Sequence, residues 1–181
     1  MNYLLHQQAS ERLEFKRISL YWFDDWLKFF EDPETSKYWV EEKETPRVAC
    51  EKWYARQFER YEKGLGGMNA LIEKSSGKLV GHAGLLVQQV DGVAELEIAY
   101  SLLPESWGKG YAIEAAQKCK NIAFKDYQVP SLISIISLTN LPSQKVATKN
   151  GMRIEKRTIY KQNEVLIFRI TRAEYDLQTL A

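Results

Sequence analysis

Leu103-Pro104-Glu105-Ser106-Trp107-Gly108-Lys109-Gly110-Tyr111-Ala112-Ile113-Glu114-Ala115-Ala116 decides how the rest of this chain is read. Gly108 and Gly110 stand between an apolar segment and a helix-compatible run. Glycine at such a junction lets backbone approach a ligand with no side chain in the way. The helix that follows opens with unpaired N–H groups and the positive end of its dipole. Together these features make an anion cradle, and phosphate is its usual occupant.

The segments on either side alternate between two periodicities. Upstream, a strand is expected at Arg12 to Ile18 and a helix at Tyr21 to Phe30, where Trp22, Trp26, Phe29 and Phe30 share one face. Asp32-Pro33 stops that helix, and Pro46 opens a second at Arg47 to Lys63, ended by Gly64-Leu65-Gly66-Gly67. Strands follow at Met68 to Glu73, Leu79 to Val87 and Val93 to Leu102, joined by turns at Ser75 to Lys78 and Gln89 to Gly92. Tyr111 to Asp126 reads as a helix with Ala112, Ala115, Ala116, Cys119, Ile122 and Ala123 as its buried stripe. A strand at Leu132 to Leu138, a short helix at Pro142 to Lys149 and a hairpin of Met152 to Tyr160 with Val165 to Thr171 complete the chain. The order β-α-α-β-β-β-α-β-α-β-β is an α/β layout with a mixed, largely antiparallel sheet flanked by helices.

Composition narrows the function classes. The 181 residues suit a single domain spanning 1–181, and 45% hydrophobic with 27% charged residues is ordinary globular composition. Lys plus Arg is 25 against 24 for Asp plus Glu, so no global field argues for nucleic acid. Cys50 and Cys119 lie in no metal-like spacing, which argues against zinc and fits a reducing, cytoplasmic setting. The start resembles no secretory signal, and no segment has the roughly 20 apolar residues of a membrane span. Between Tyr21 and Glu44 the acids Asp24, Asp25, Glu31, Asp32, Glu34, Glu41, Glu42 and Glu44 outnumber Lys28, Lys37 and Lys43. They read as a solvated helical face or as a rim attracting a cationic substrate.

Order and motifs together resemble the GNAT superfamily of N-acetyltransferases, over nearly the whole chain. The family's Q/R-x-x-G-x-G/A falls on Trp107-Gly108-Lys109-Gly110-Tyr111-Ala112, with Trp107 in place of the polar first residue. The extended GKGYAxEA is similar to the branch that acetylates alanine at ribosomal-protein N-termini. A second match runs from Asn140 and Ser143 through Lys145, Val146, Lys149 and Gly151 to Met152, resembling N-x-x-S-x-K-V-x-x-K-x-G-F. The resemblance implies acetyl-CoA as co-substrate and no metal. It implies that residues 107 to 112 wrap the coenzyme pyrophosphate through backbone N–H groups, and that Asn140 and Ser143 meet the pantetheine arm and the sulfur. It implies an amine acceptor, with a protein N-terminus leading and small amines or antibiotics as alternatives, on a monomer or homodimer. Many relatives carry a Tyr acid where this chain has Ala147, which leaves Ser143 as the substitute candidate.

Acetyl transfer to an amine needs the amine neutral, and with pKa values of about 8 for an α-amine and about 10.4 for lysine a proton acceptor helps. Glu97, mid-strand before the loop, is the expected base, and Glu95 on the same face is the alternative. Backbone at Ile98, Ala99 and Tyr100 is expected to supply N–H donors to the developing oxyanion and the coenzyme, provided the strand bulges there. Ser143 is read as a donor to the leaving thiolate or as a helix cap, with Asn140 as a further cap. His82 reads as a packed strand histidine, and Trp22, Trp26, Trp39 and Trp53 as core by default. Tyr38 and Trp39, between the first two helices, are candidate acceptor contacts. No Cys or Ser sits in an activated nucleophile arrangement, so direct transfer in a ternary complex is expected. A non-catalytic acyl-CoA-binding regulatory domain and a nucleotide-binding regulator are the rival readings; the second lacks G-x-x-x-x-G-K-[ST].

Overall fold

In chain order the elements are β1 (Leu13–Arg17), a 3-10 turn (Leu20–Trp22), α1 (Phe23–Glu31), α2 (Pro33–Ser36), α3 (Pro46–Glu62), β2 (Gly66–Glu73), β3 (Leu79–Val90), β4 (Val93–Leu102), a second 3-10 turn (Pro104–Ser106), α4 (Tyr111–Lys125), β5 (Ser131–Ser137), α5 (Leu141–Lys149), β6 (Arg153–Tyr160), β7 (Asn163–Thr171) and α6 (Arg172–Leu180). They come from a computed structural model that describes residues 2–40 and 44–180. The seven strands form one sheet in the order β1-β2-β3-β4-β5-β7-β6. Every neighbouring pair is antiparallel except β4 and β5, which α4 links as a parallel crossover.

Burial explains the layers. On one face α4 packs Ala115, Ala116, Cys119 and Phe124 onto Leu13, Phe15, Leu71, Leu85, Ile98 and Leu132. On the other, α1 and α3 pack Trp26, Cys50 and Tyr54 onto Met68, Ala70 and Ile72. A third cluster, Val90, Ile133, Ile135, Val165 and Ile167, with Trp39 and Tyr160 against it, lies where β7 meets β5.

The expected order holds with additions at its ends and joints. The first expected helix begins as the 3-10 turn at Leu20, where the Ser19 side chain accepts from Tyr21 N, and turns α-helical only at Phe23. Asp32-Pro33 does more than stop α1. The Asp32 carboxylate accepts from Glu34 N at 2.9 Å and starts α2. β3 runs on to Val90, so the turn contracts to Asp91-Gly92, both at positive φ (50° and 79°), as a two-residue hairpin requires. α6 is an addition, built on a capping box. Glu174 N donates to Thr171 Oγ1 at 3.3 Å, and Thr171 N donates back to Glu174 at 2.8 Å. The Arg153 side chain, then Thr171, hold the Glu174 carboxyl down at about 2. Of the acids between Tyr21 and Glu44, Glu41 and Glu42, with Lys43, lie outside the described residues. Asp25 pairs with Lys28, Glu34 with Lys37 and Glu44 with Lys52, as on a solvated face.

His82, on β3, is fully buried between the rings of Trp26 (4.2 Å) and Trp53 (4.7 Å). Neither imidazole nitrogen has a hydrogen-bond partner among the described residues. Burial pushes its pKa down to about 3 from 6.5. The unfolded chain therefore takes up the proton first. Stability is unaffected above pH 6.5 and falls as pH drops from there toward 3. At pH 5 the loss is about 2 kcal/mol. Urea denaturation at pH 7 and pH 5 checks this: His82→Phe should show a pH difference smaller by that amount, and an equal difference in both proteins would refute it.

Candidate active site

β4 and β5 share a single register pair, Glu97 opposite Ile133, and then diverge. Two side chains close off the ladder there. Ser134 Oγ donates to the Ile98 carbonyl at 2.8 Å, and Ile135 N donates to Glu97 Oε1 at 3.4 Å. In a continued parallel ladder those two backbone groups, Ile98 C=O and Ile135 N–H, would face each other. The result is a cleft of about 160 Å³ lined by Trp39, Glu97 to Ser101, Ser134 to Ile136, Asn140 and Ser143.

No bulge is needed to expose donors. The β3–β4 register runs unbroken from Gly81–Leu102 to Val90–Val93, which corrects the expected bulge near Ile98 to Tyr100. Backbone groups alternate sides along a strand. Since the Ile98 carbonyl turns toward β5, so do the N–H and C=O of Tyr100, which lie past the last rung. Leu102 belongs to the same set, and its carbonyl accepts from Trp107 Nε1 at 2.9 Å. Trp107, the departure from the family motif, thus caps the open edge of β4.

Glu97 is 8% exposed at the head of the cleft. Burial raises its pKa above the usual carboxylate value. Gln88, Ile135 N–H, Arg60 and Lys161 pull it back down, in that order. Gln88 Nε2 donates to Glu97 Oε2 at 2.8 Å, and Tyr160 O–H donates to Gln88 Oε1 at 3.1 Å. The tyrosine fixes which end of the amide faces the carboxylate. Glu95 is committed elsewhere: Arg169 Nη1 and Nη2 grip it at 3.1 and 2.6 Å. The bidentate pair holds Glu95 off the cleft, whose lining includes Glu97 and not Glu95.

The floor of the cleft is the start of α5. Asn140 Oδ1 accepts from Ser143 N at 3.1 Å, so Asn140 is the cap and Ser143 sits one turn in. Ser143 Oγ makes no hydrogen bond among the described residues. Tyr100 O–H donates to the Ser143 carbonyl at 3.1 Å and ties β4 to α5. Ala147, where many relatives place an acid, is 1% exposed and packs into the core under α4.

Beyond the end of β4 lies the glycine loop. Gly108 (φ 73°) and Gly110 (φ 83°) both take left-handed backbone, and a Cβ on Gly108 would meet nothing within 4 Å. α3 and α5 are capped by the side chains of Thr45 and Asn140, whereas α4 starts from Gly110, which has none to offer. The first-turn N–H groups of α4 are therefore left for a ligand. Arg12 braces the loop. It donates to the Lys109 carbonyl at 2.9 Å, stacks 4.6 Å from the Tyr111 ring and pairs with Glu114 at 2.7 Å. Glu114 also accepts from Ser10 Oγ and Arg12 N.

The structure gathers Glu97, Ile98, Ala99, Tyr100, Asn140, Ser143 and Trp39 on one cleft; residues 107 to 112 are not in its lining and join the end of the same strand through the Trp107 bond to Leu102. Tyr38 is left outside the lining, its ring beside the Lys37 ammonium at 5.1 Å. Sequence reasoning missed Gln88, Tyr160, Ser134, Arg12 and Glu114. Glu114 had a signal in its place in the first turn of an uncapped helix; the others join distant elements and had none. Among the described residues no group of His, Cys, Asp and Glu could hold a metal, and no helix is long and apolar enough to cross a membrane.

The model of the acetyltransferase (GNAT) domain matches residues 12–153. The uncharacterized protein YkkB of Bacillus subtilis (strain 168) is 33% identical over 136 residues, 75% of this chain and 77% of its own. An acetyltransferase from Agrobacterium tumefaciens str. C58 superposes with a TM-score of 0.77 at 19% identity, over 94% of this chain and 96% of that one. The ribosomal-protein-S5-alanine acetyltransferase of Vibrio fischeri does so at 0.69 and 15%, over 91% and 96%. The last two likenesses concern the fold.

Gly108 offers a direct test of the loop. Gly108→Val costs about 1–2 kcal/mol in left-handed strain and fills the space a ligand's phosphates would need. The expected outcome is a folded protein that binds coenzyme A at least about 10-fold more weakly, about 1.4 kcal/mol, by calorimetry. Unchanged affinity would take the loop out of the coenzyme site.

Proposed function

The chain belongs to the acetyltransferase (GNAT) domain family, and from that premise we propose that it moves an acetyl group from acetyl-CoA to a primary amine, foremost a protein N-terminal α-amine, by direct transfer. One observation carries the reading: the unpaired edge of β4 runs from an uncapped, glycine-led helix start to a buried carboxylate, Glu97. That path suits a long phosphate-bearing thioester at one end and an amine at the other. The N-terminal acceptor is favoured by the loop's resemblance to the ribosomal-protein branch and by the Vibrio fischeri neighbour's name.

Acetyl-CoA supplies an activated acyl group and a thiolate leaving group. Backbone N–H groups of residues 108 to 112 would hold its pyrophosphate, with the Trp107 ring and the Lys109 side chain beside them. The exposed C=O of Tyr100 and the amide of Asn140 would hold its arm. Glu97 takes the proton that the amine loses on attack, directly or through a water. Burial lifts its pKa toward working pH, which strengthens it as a base. The Tyr100 N–H donates to the carbonyl oxygen as negative charge develops there. Ser143 Oγ, with its lone pairs and proton uncommitted, donates to the departing sulfur. Neither cysteine serves as a nucleophile. Both are buried, and burial pushes Cys50 up to about 11 and Cys119 to about 12.

A panel of N-terminal peptides and small amines with acetyl-CoA, read by release of free coenzyme A, tests the proposal; no release with any amine would refute it. Glu97→Gln keeps an acceptor for Ile135 N–H and removes the base. Turnover should fall about 100-fold or more with coenzyme affinity unchanged. The wild-type rate should fall as pH drops through the raised Glu97 pKa, because the carboxylate is then protonated. Wild-type turnover in the Gln variant would move the base elsewhere.

Ser143→Ala separates chemistry from capping. Since Asn140 is the cap, the variant should melt at the wild-type temperature and lose roughly 10- to 150-fold in turnover, the worth of one hydrogen bond to a developing charge. Asn140→Ala should instead cost about 1 kcal/mol of stability. A destabilised but fully active Ser143→Ala protein would make Ser143 structural.

A further inference from the structure

Behind Glu97, away from the coenzyme loop, lies a second cavity of about 460 Å³. It is lined by Arg60, Leu65, Val87, Gln88, Gln89, Asp91, Ile159, Tyr160 and Lys161. Its volume is that of a small-molecule or short-peptide site. It shares a wall with the cleft. Gln88 lines it and donates to Glu97, and Tyr160 lines it and packs on the same apolar cluster as Trp39 of the cleft.

Arg60 places a fixed positive charge on its lining. Arg60 Nη2 donates to the carbonyls of Leu65 at 2.9 Å and Val87 at 2.7 Å, which locks the guanidinium in place. Arg60 Nε is buried and has no partner among the described residues. Lys161, at the β6–β7 turn, adds a second cation on the lining, and both reach Glu97 electrostatically. Asp91, the one acid on the lining among the described residues, is taken by Lys156 at 2.7 Å and Thr158 at 2.8 Å, so it does not cancel Arg60. Arg56, four residues before Arg60 on α3, reinforces the field. A rigid, half-buried guanidinium whose Nη1 makes no hydrogen bond among the described residues and is not among the buried atoms is suited to a carboxylate, which accepts charge-assisted bonds.

We propose that this cavity is the acceptor subsite and that it selects amines bearing a carboxylate, which sits against Arg60 and Lys161 while the amine reaches Glu97 past Gln88. The proposal rests on the acetyltransferase reading above and deepens it to a substrate class. The carboxylate has two possible sources, a free amino acid or an acidic side chain near a peptide N-terminus. Their shared chemistry is an amine and an anion a few bonds apart.

The test compares matched acceptors: alanine against alaninamide, and Ala-Glu-Ala-amide against Ala-Gln-Ala-amide. The wild type should favour the carboxylate member of at least one pair by about 10-fold or more in kcat/KM, expressed in KM, and the favoured pair names the source. In Arg60→Gln, which removes the charge and leaves a shorter neutral amide, the ratio should fall to within about 2-fold. Lys161→Gln, at a hairpin turn, should lower the same ratio and stands in should Arg60→Gln fail to fold. Calorimetry of alanine and Ala-Glu-Ala-amide onto the coenzyme A complex gives an answer independent of turnover. Binding of either that weakens in the variants supports the subsite. Ratios near unity in the wild type, or a preference intact in folded variants, overturn it and leave the acetyltransferase reading standing. Absence of acetylation of every amine overturns that reading, with the binding arm still deciding the subsite.

Discussion

The rung missing between Ile135 N–H and the Ile98 carbonyl governs this molecule. A parallel strand pair with a helical crossover ordinarily pairs along its length. Here Glu97 and Ser134 take the two groups that would have met, and β5 leaves β4 one residue later. The cost of an interrupted ladder is small because both groups remain hydrogen-bonded. The gain is an unpaired strand edge inside the protein, held at a fixed width by Tyr100 reaching to Ser143 at one side and Trp107 capping Leu102 at the end. Glu97 is therefore bracket and candidate base at once. Its Oε1 holds the splay open and its Oε2 is gripped by Gln88, so the carboxylate cannot swing away from the position its chemistry would need.

Two helices start without a side-chain cap: α1, which runs on from a 3-10 turn, and α4. α3, α5 and α6 begin with side-chain caps from Thr45, Asn140 and Thr171. α4 begins with Gly110 in a left-handed conformation, which exposes its first-turn N–H groups. Leaving those donors unmet would be costly in a buried setting; at the exposed loop water or a phosphate meets them. Stiffness comes instead from Arg12, which holds the loop by its Lys109 carbonyl from 97 residues away in sequence. The cradle is thus open in front and braced behind.

Much of this was legible in the sequence because it is local. The glycine pair, the alternation of β4 and the Asn140-x-x-Ser143 helix start are each set by a few neighbouring residues, and the structure places the last two around one cleft. The capping box of α6, Thr171-Arg172-Ala173-Glu174, is equally local, although it lies beyond the last motif. What could not be read was register. Whether Glu95 or Glu97 faces a free site depends on Arg169, 74 residues away in sequence, gripping one and not the other. Tyr38 and Trp39 are neighbours of like chemistry, yet only Trp39 meets the third apolar cluster and the cleft. The expected β4 bulge was a local device invoked for a problem that a long-range one, the departure of β5, already solves.

The electrostatics around Glu97 follow from that geometry. A carboxyl buried at a strand crossing is pushed toward its neutral form, and left alone it would be a proton carrier that cannot ionise. Gln88, oriented by Tyr160, and the Ile135 N–H each offer a hydrogen to the ionised form, and Arg60 and Lys161 add charge from the far side. The direction that survives is upward, toward the range where an acid–base group works best near neutral pH. The same two cations that hold Glu97 down line the larger cavity, so an anion arriving against them removes part of their pull and lifts Glu97 further. An acceptor with a carboxylate would then strengthen the base that deprotonates it, coupling occupancy of one side of the wall to basicity on the other.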